Sequence, residues 1–141
     1  MNTRSVKSEN PEDRLREHPK ERLAAPVQML TLAEAVAKLR AEPHAPVAGH
    51  RQVALVRRGP VTIILFVFEA DGVLKEHKTD GEVIVQVLRG RLAVTVDDEA
   101  FQLAEGDLIA IAPGRPHAVH ALGESEMLLT ICQVAAGPGT H

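Results

Sequence analysis

The side chains best suited to chemistry are two histidines, His77 and His117. They lie in a stretch of strand-like sequence, from Gly72 to His117, that is broken by glycine turns. A neutral imidazole can bind a metal ion, accept a hydrogen bond or exchange a proton near neutral pH. The sequence contains no Ser-His-Asp or Cys-His array, no glycine-rich phosphate loop and no cysteine cluster for zinc. Its only cysteine, Cys132, falls in an apolar strand and is predicted to be buried and inert.

The other histidines are weaker candidates. His120 follows His117 by three positions, so on a regular strand it faces the other way and is predicted to be exposed. His50 could approach the same interior if an early strand pairs nearby, which the sequence leaves open. His44 adjoins Pro43 and is expected in a loop.

The composition excludes several classes of function. The chain of 141 residues is 45 % hydrophobic, which is enough for one packed domain. A formal net charge of -3 and only three aromatic residues argue against nucleic-acid binding, which uses basic patches and stacking rings. The sequence has neither a secretory h-region nor an apolar run long enough to span a bilayer. One cysteine fits a reducing compartment, so we expect a cytoplasmic protein with no membrane partner.

Both ends of the chain are predicted to lie outside the folded domain. Residues 1–22 carry six basic and five acidic side chains and few large apolar ones. Such a segment cannot bury enough surface to offset its ordering entropy, so we predict a disordered charged leader. A solvated leader is favoured over a partner-binding tail, which stays open as the alternative. Residues 137–141, rich in glycine and proline, are predicted to form a disordered tail.

A short α-helix is predicted within an N-terminal extension, residues 23–43. Thr31 and Glu34 have the spacing of a capping box, in which each side chain satisfies the backbone amide of the other. Apolar residues then recur at helical spacing: Leu32, Ala35, Val36 and Leu39. Pro43 stops the helix. We predict that this apolar stripe packs against the main domain.

Residues 44–136 are predicted to form a β-domain. Short apolar and β-branched segments alternate there with turn signals, a pattern typical of a sandwich or barrel rather than a βαβ fold. The segment Val61–Phe68 is nearly all apolar, so both of its faces should be buried. Val83–Leu88 and Arg91–Val96 are separated only by Arg89 and Gly90, which predicts a tight hairpin.

The segment from Gly72 to Gly90 resembles the first motif of the cupin family, in which two short motifs line one small β-barrel and hold a metal ion. That motif is a glycine, a spacer, His-x-His, three or four residues, a glutamate, six residues and a glycine. Aligned on Gly90, it has its first histidine at His77, Thr79 in place of the second histidine and Val83 in place of the glutamate.

The second cupin motif is matched at Pro113, Gly114 and His117, with Ala121 in place of its final asparagine. The resemblance covers about residues 47–134 and implies an all-β fold. That fold is a single cupin-type, jelly-roll-like barrel with a short N-terminal α-helix. Of the four metal ligands that the family pattern implies, His77 and His117 remain.

A carboxylate near the motif could replace the missing glutamate. Glu82 precedes Val83, so in a regular strand it points to the opposite face, although a bulge at Gly81 could turn it inward. The predicted hairpin places one apolar set on the barrel lining: Val83, Val85, Val87, Leu92, Val94 and Val96. A dry wall beside two histidines is a poor site for a divalent cation, which needs compensating ligands.

Two functions remain. The first is a binding module that holds a small molecule in the barrel, with His77, Thr79, Glu82 and His117 as its contacts. The alternative is a metal-dependent cupin enzyme, an oxygenase or isomerase, with His77 and His117 as metal ligands. Any divalent metal ion is expected to bind weakly, because zinc and iron sites normally need at least three protein ligands. The identity of the ligand, of the metal and of any reaction stays open.

We also predict a homodimer. Ile84, Leu88 and Ala93 fall on the face opposite the predicted lining and would form an exposed apolar patch. Patches of that kind usually mark an interface. The cupin resemblance points the same way, since many members of that family dimerise through a sheet.

Overall fold

The computed structural model describes residues 25–134. The predicted leader, residues 1–22, and the predicted tail, residues 137–141, lie outside this range. The described part contains one helix, α1 (Leu32–Arg40), and nine strands: β1 (His50–Arg58), β2 (Val61–Phe68), β3 (Val73–His77), β4 (Glu82–Arg89), β5 (Arg91–Val96), β6 (Glu99–Ala104), β7 (Leu108–Ile111), β8 (His117–Ala121) and β9 (Ser125–Cys132). Within these residues, no helix has the length and apolarity that crossing a bilayer requires.

The strands form two antiparallel sheets that face each other. The first has five strands in the order β1-β2-β9-β4-β7, and the second has four in the order β3-β8-β5-β6. Neighbours in each sheet are mostly distant in sequence, as in a jelly roll. The predicted all-β class is therefore confirmed, as is the short N-terminal helix.

The main core lies between the two sheets. The valines of β4 alternate with exposed residues and point inward, so Val83, Val85 and Val87 are buried. Leu92 and Val94 of β5 meet them from the other sheet, with Val96 partly buried at the edge. The predicted set of lining residues is thus correct.

The predicted hairpin between β4 and β5 is wrong. β4 pairs with β7 and β9, while β5 pairs with β6 and β8, so the chain passes from one sheet to the other at Gly90. Gly90 has a φ of 89°, and a Cβ there would lie 2.4 Å from the Glu124 carbonyl oxygen. The Ser125 hydroxyl accepts the Arg91 amide at this corner. The short connection therefore makes a corner, in which only glycine fits, instead of a turn.

A second apolar cluster covers the outer face of the five-stranded sheet. The stripe of α1 packs there on Leu55, Leu65 and Val67, while Phe66 and Phe68 of the same strand face the main core. Both faces of β2 are therefore buried, as predicted. Thr31 is the N-cap residue of α1, but its side chain makes no capping hydrogen bond, so the predicted capping box is not formed.

The three residues predicted to form a dimer patch do not share one surface. Leu88 packs into the cluster under α1. Ala93 lies on β5, in the other sheet, so of the three only Ile84 remains on the open part of the five-stranded sheet. This follows from the missing β4–β5 hairpin, and the homodimer itself stays a prediction. Cys132 is exposed at the end of β9, which corrects the prediction that it is buried.

Candidate functional site

His77 and His117 meet inside the barrel. They are register partners on the adjacent strands β3 and β8. Their ring centroids lie 4.2 Å apart, with an angle of 62° between the ring planes. His117 is 1 % exposed and belongs to the core, whereas His77 is half-buried and reaches the barrel opening. The two ends of the Gly72–His117 stretch are thus brought together by strand pairing.

A β-bulge sets the direction of the His77 side chain. Leu74 pairs with Val119 and His77 pairs with His117, so β3 uses three steps where β8 uses two. In a regular strand Leu74 and His77 would face opposite sides. The extra residue of the bulge turns His77 to the same side as Leu74, toward the interior.

A cavity of about 590 Å³ opens beside His77. Most of its wall is apolar, and the apolar lining residues are Val47, Ala48, Ile64, Phe66, Val73, Leu74, Leu129 and Ile131. The polar lining residues are His50, Gln52, Lys75, Glu76, His77 and Thr79. Its size lies within the usual range for small-molecule pockets, which are mostly apolar with a few polar groups.

The two imidazoles are held by backbone carbonyls. Nδ1 of His77 donates to the Lys75 carbonyl oxygen at 2.9 Å, and Nδ1 of His117 donates to the Arg115 carbonyl oxygen at 3.0 Å. Nε2 of His117 is buried and has no hydrogen-bond partner among the described residues. Burial lowers the pKa of His117 below 6.5, and the nearby His77 lowers it further, against the opposing effect of the Arg115 carbonyl. His117 is therefore held neutral at physiological pH.

Stability is expected to fall as the pH drops below about 6.5, the usual pKa of histidine. The pKa of His117 is lowered in the folded state, so the unfolded chain binds more protons between the two pKa values. The stabilising contribution of neutral His117 is therefore complete above that pH and is lost below it. When the free energy of unfolding from urea denaturation is plotted against pH, its slope across this range should be smaller in His117→Gln than in the wild type. His120→Gln is the matched control, and an unchanged slope in His117→Gln would contradict the prediction.

Of the two other predicted contacts, Thr79 lies in the cavity wall and Glu82 does not. Thr79 lines the cavity, but its hydroxyl donates to the Gly81 carbonyl and accepts the Gly81 amide, so a local turn occupies it. Glu82 is exposed, and Val83 beside it is buried, because the pairing of β4 with β9 is regular there. The bulge proposed at Gly81 is not formed, and the prediction of Glu82 as a cavity contact is wrong.

His50 and Gln52 belong to the cavity wall. The sequence left the position of His50 open and did not indicate Gln52. Nδ1 of His50 donates to the Val73 carbonyl oxygen at 2.8 Å, and its Nε2 lies 3.3 Å from the Gln52 side-chain oxygen, Oε1. The His50 ring packs on Phe66, with centroids 5.5 Å apart. Counting along β1 does not find them, because a register shift between Ala54 and Val56 breaks the alternation of that strand. His120 is exposed, as predicted, and pairs with Asp71 at 3.0 Å.

The residues present do not fit a tightly held metal ion. His77 and His117 supply two imidazoles, while Thr79 is engaged locally and Val83 offers no donor atom. Within residues 25–134, no three His, Cys, Asp or Glu side chains cluster in a way that could hold a metal. A firm zinc or iron site normally takes three or more protein ligands. We therefore derive no chemistry from a metal at this pair.

Comparison with known proteins agrees with the fold. A family model described as the cupin domain matches residues 64–132. An uncharacterized protein of Methanocaldococcus jannaschii is 36 % identical over 59 residues, which are 42 % of this chain and 46 % of that protein. The chain thus spans about half the length of this curated relative.

Two solved structures are also similar. A conserved protein of unknown function from Streptococcus pyogenes has a TM-score of 0.59 and 29 % identity, over 63 % of this chain and 78 % of that one. A cupin superfamily protein from Desulfitobacterium hafniense has a TM-score of 0.63 and 23 % identity, over 80 % of this chain and 96 % of that one. Residues 64–132, which the family model matches, contain the cavity-lining residues of β2 and β9 and both histidines of the His77–His117 pair. The two-sheet barrel and these matches together show that the chain contains a cupin domain, within residues 64–132.

Proposed function

We propose that this protein is a binding module that holds a small, mainly apolar molecule in its barrel, with His77 as the principal polar contact. The observation that carries the proposal is the cavity of about 590 Å³, which has an apolar wall and a half-buried imidazole at its edge. Apolar area supplies most of the affinity in such pockets, and a few polar groups fix the orientation of the ligand.

The parts of the wall have separable roles. Ile64 and Phe66 of β2 stand beside Leu129 and Ile131 of β9, and these side chains form an apolar surface for the body of the ligand. His77 lies on the other sheet, so the polar contact is made at the side of the cavity away from that surface. His117 lies behind His77 and supports its ring by contact.

A metal-dependent enzyme of the oxygenase or isomerase class is the alternative, with His77 and His117 as ligands. The buried Nε2 of His117 favours it, because a neutral imidazole with its other nitrogen bonded to a carbonyl is a form suited to metal binding. The small number of donor side chains argues against it.

Protein purified without an affinity tag is expected to contain well below one equivalent of any divalent metal. Two imidazoles alone hold zinc or iron weakly. Elemental analysis before and after dialysis against a chelator gives the content, with His77→Ala and His117→Ala as the test variants and His120→Ala as the control. One equivalent that survives dialysis in the wild type and the control, and is lost in both test variants, would replace the binding module with the enzyme.

A further inference from the structure

His50, His77 and His117 share one hydrogen-bond pattern, in which Nδ1 faces a backbone carbonyl oxygen. The distances are 2.8 Å from His50 to Val73, 2.9 Å from His77 to Lys75 and 3.0 Å from His117 to Arg115. A carbonyl oxygen can only accept, so Nδ1 carries the proton in each ring. The Nε2 atoms of His77 and His117 are then hydrogen-bond acceptors in the neutral rings.

Neither ring of the His77–His117 pair can supply the donor that the other lacks. Each Nδ1–H is already bonded to the carbonyl oxygen of the residue two positions earlier in the chain. Nε2 of His117 is buried without a partner, and the described residues offer no hydrogen bond to Nε2 of His77. A buried acceptor without a partner destabilises the folded state. The pair is therefore a set of acceptors that lacks a donor.

The charges of the cavity do not favour an anion. Among the described residues that line the cavity, Lys75 is the only lysine or arginine, and the acidic Glu76 follows it directly. Both side chains are exposed. Recognition of a carboxylate or phosphate normally uses converging cationic or N–H donors, and the imidazoles here present acceptors instead.

We propose that the barrel selects a neutral molecule with an apolar body and a hydroxyl or N–H group, which donates a hydrogen bond to Nε2 of His77. This inference rests on the proposed function and names the chemical class of its ligand. The apolar body packs on the wall formed by Ile64, Phe66, Leu129 and Ile131. The donor replaces, at His77, the water that a half-exposed acceptor otherwise binds.

Matched probes that differ only in the donor group test this inference. Phenol, anisole and benzoate form one series, and cyclohexanol, cyclohexyl methyl ether and cyclohexanecarboxylate form a second. Affinities are measured by NMR titration at about pH 8, well above the usual pKa of a histidine side chain. We expect each hydroxyl probe to bind roughly tenfold more tightly than its methyl ether, the size of one hydrogen bond, and each carboxylate to bind most weakly.

The His77→Phe variant keeps a ring at the site but removes the acceptor. The ratio of hydroxyl to ether affinity should fall to about one in this variant and stay unchanged in His120→Phe, whose ring lies outside the barrel. Equal affinity for hydroxyl and ether in the wild type, or preference for the carboxylate, overturns the donor inference and leaves ligand binding in the barrel intact. If none of the probes shifts a cavity resonance, both the inference and the proposed function are overturned.

Discussion

Replacing Gly72 with alanine is expected to lower the free energy of unfolding by roughly 3 kcal/mol or more, in the range of severe packing defects. A Cβ at Gly72 would lie 2.2 Å from the Gly49 carbonyl oxygen and 2.9 Å from the Gly49 carbonyl carbon. Backbone atoms cannot rotate away as a side chain can. The Gly49 carbonyl oxygen also accepts the Glu69 amide, and Val73 donates to the Ala48 carbonyl, so this turn is tied on both sides.

Gly123→Ala is the matched control for Gly72→Ala. Gly123 has no positive φ, and a Cβ there would meet no atom within 4 Å. Chemical denaturation should therefore show a midpoint close to the wild type for Gly123→Ala and a much lower one for Gly72→Ala. Similar midpoints for the two variants would mean that the close contact between Gly49 and Gly72 is not needed for the stability of the fold. Because that contact places His50, it also holds one wall of the cavity.

Replacing Phe68 with alanine is expected to cost about 3 to 5 kcal/mol, as is usual for a fully buried phenylalanine. Phe68 is 0 % exposed in the main core. Its ring lies 6.0 Å from that of Phe66 and 5.7 Å from that of His50, measured between centroids. Truncation thus leaves a void and also removes support from two residues of the cavity wall.

Phe101→Ala is the control, because Phe101 is 37 % exposed on β6 at the edge of the other sheet. A cost below about 1.5 kcal/mol is expected there, since less apolar area leaves water in the wild type. Thermal and urea unfolding of both variants give the comparison. Equal losses of stability would show that the core does not centre on the phenylalanines of β2.

Alternation along single strands was the part of the fold that the sequence predicted well. The inward set of β4 and β5 is correct because the side-chain period of two belongs to each strand and does not depend on its partner. The pairing of those strands was wrong because β4 finds its partners at β7 and β9, which lie far along the chain. Gly90 suits a corner as well as a turn, so local sequence could not separate the two.

The site was predicted only in part, because two bulges decide which side chains enter the barrel. Period-two counting from Leu74 would place His77 outside, and only the resemblance to the cupin motif placed it inside. A register shift between Ala54 and Val56 on β1 likewise changes which residues of β1 lie opposite which residues of β2. Regular pairing counted back from the turn at Gly59 would therefore not place His50 opposite Phe68. Bulges depend on tertiary contacts and leave little local signal in the sequence.

At Glu82, by contrast, the bulge that would turn the side chain inward is not formed. The sequence alone permits a bulge at Gly81, because glycine tolerates unusual backbone angles. In the structure Gly81 is needed for another reason: a Cβ there would lie 2.6 Å from the Cys132 carbonyl oxygen. The glycine permits β4 and β9 to approach closely, and the strand stays regular after it.

A titration of chelator-treated protein with phenol, followed by NMR, tests most directly whether the barrel binds a ligand without a metal ion. We expect saturable binding without added metal, with the largest shifts at residues of the cavity such as Phe66, His77 and Leu129. The His77→Phe variant should bind phenol no better than it binds anisole. Binding that appears only after a divalent metal is restored, or shifts confined to the outer surface around Leu108, would contradict the claim that the barrel is a metal-independent ligand site.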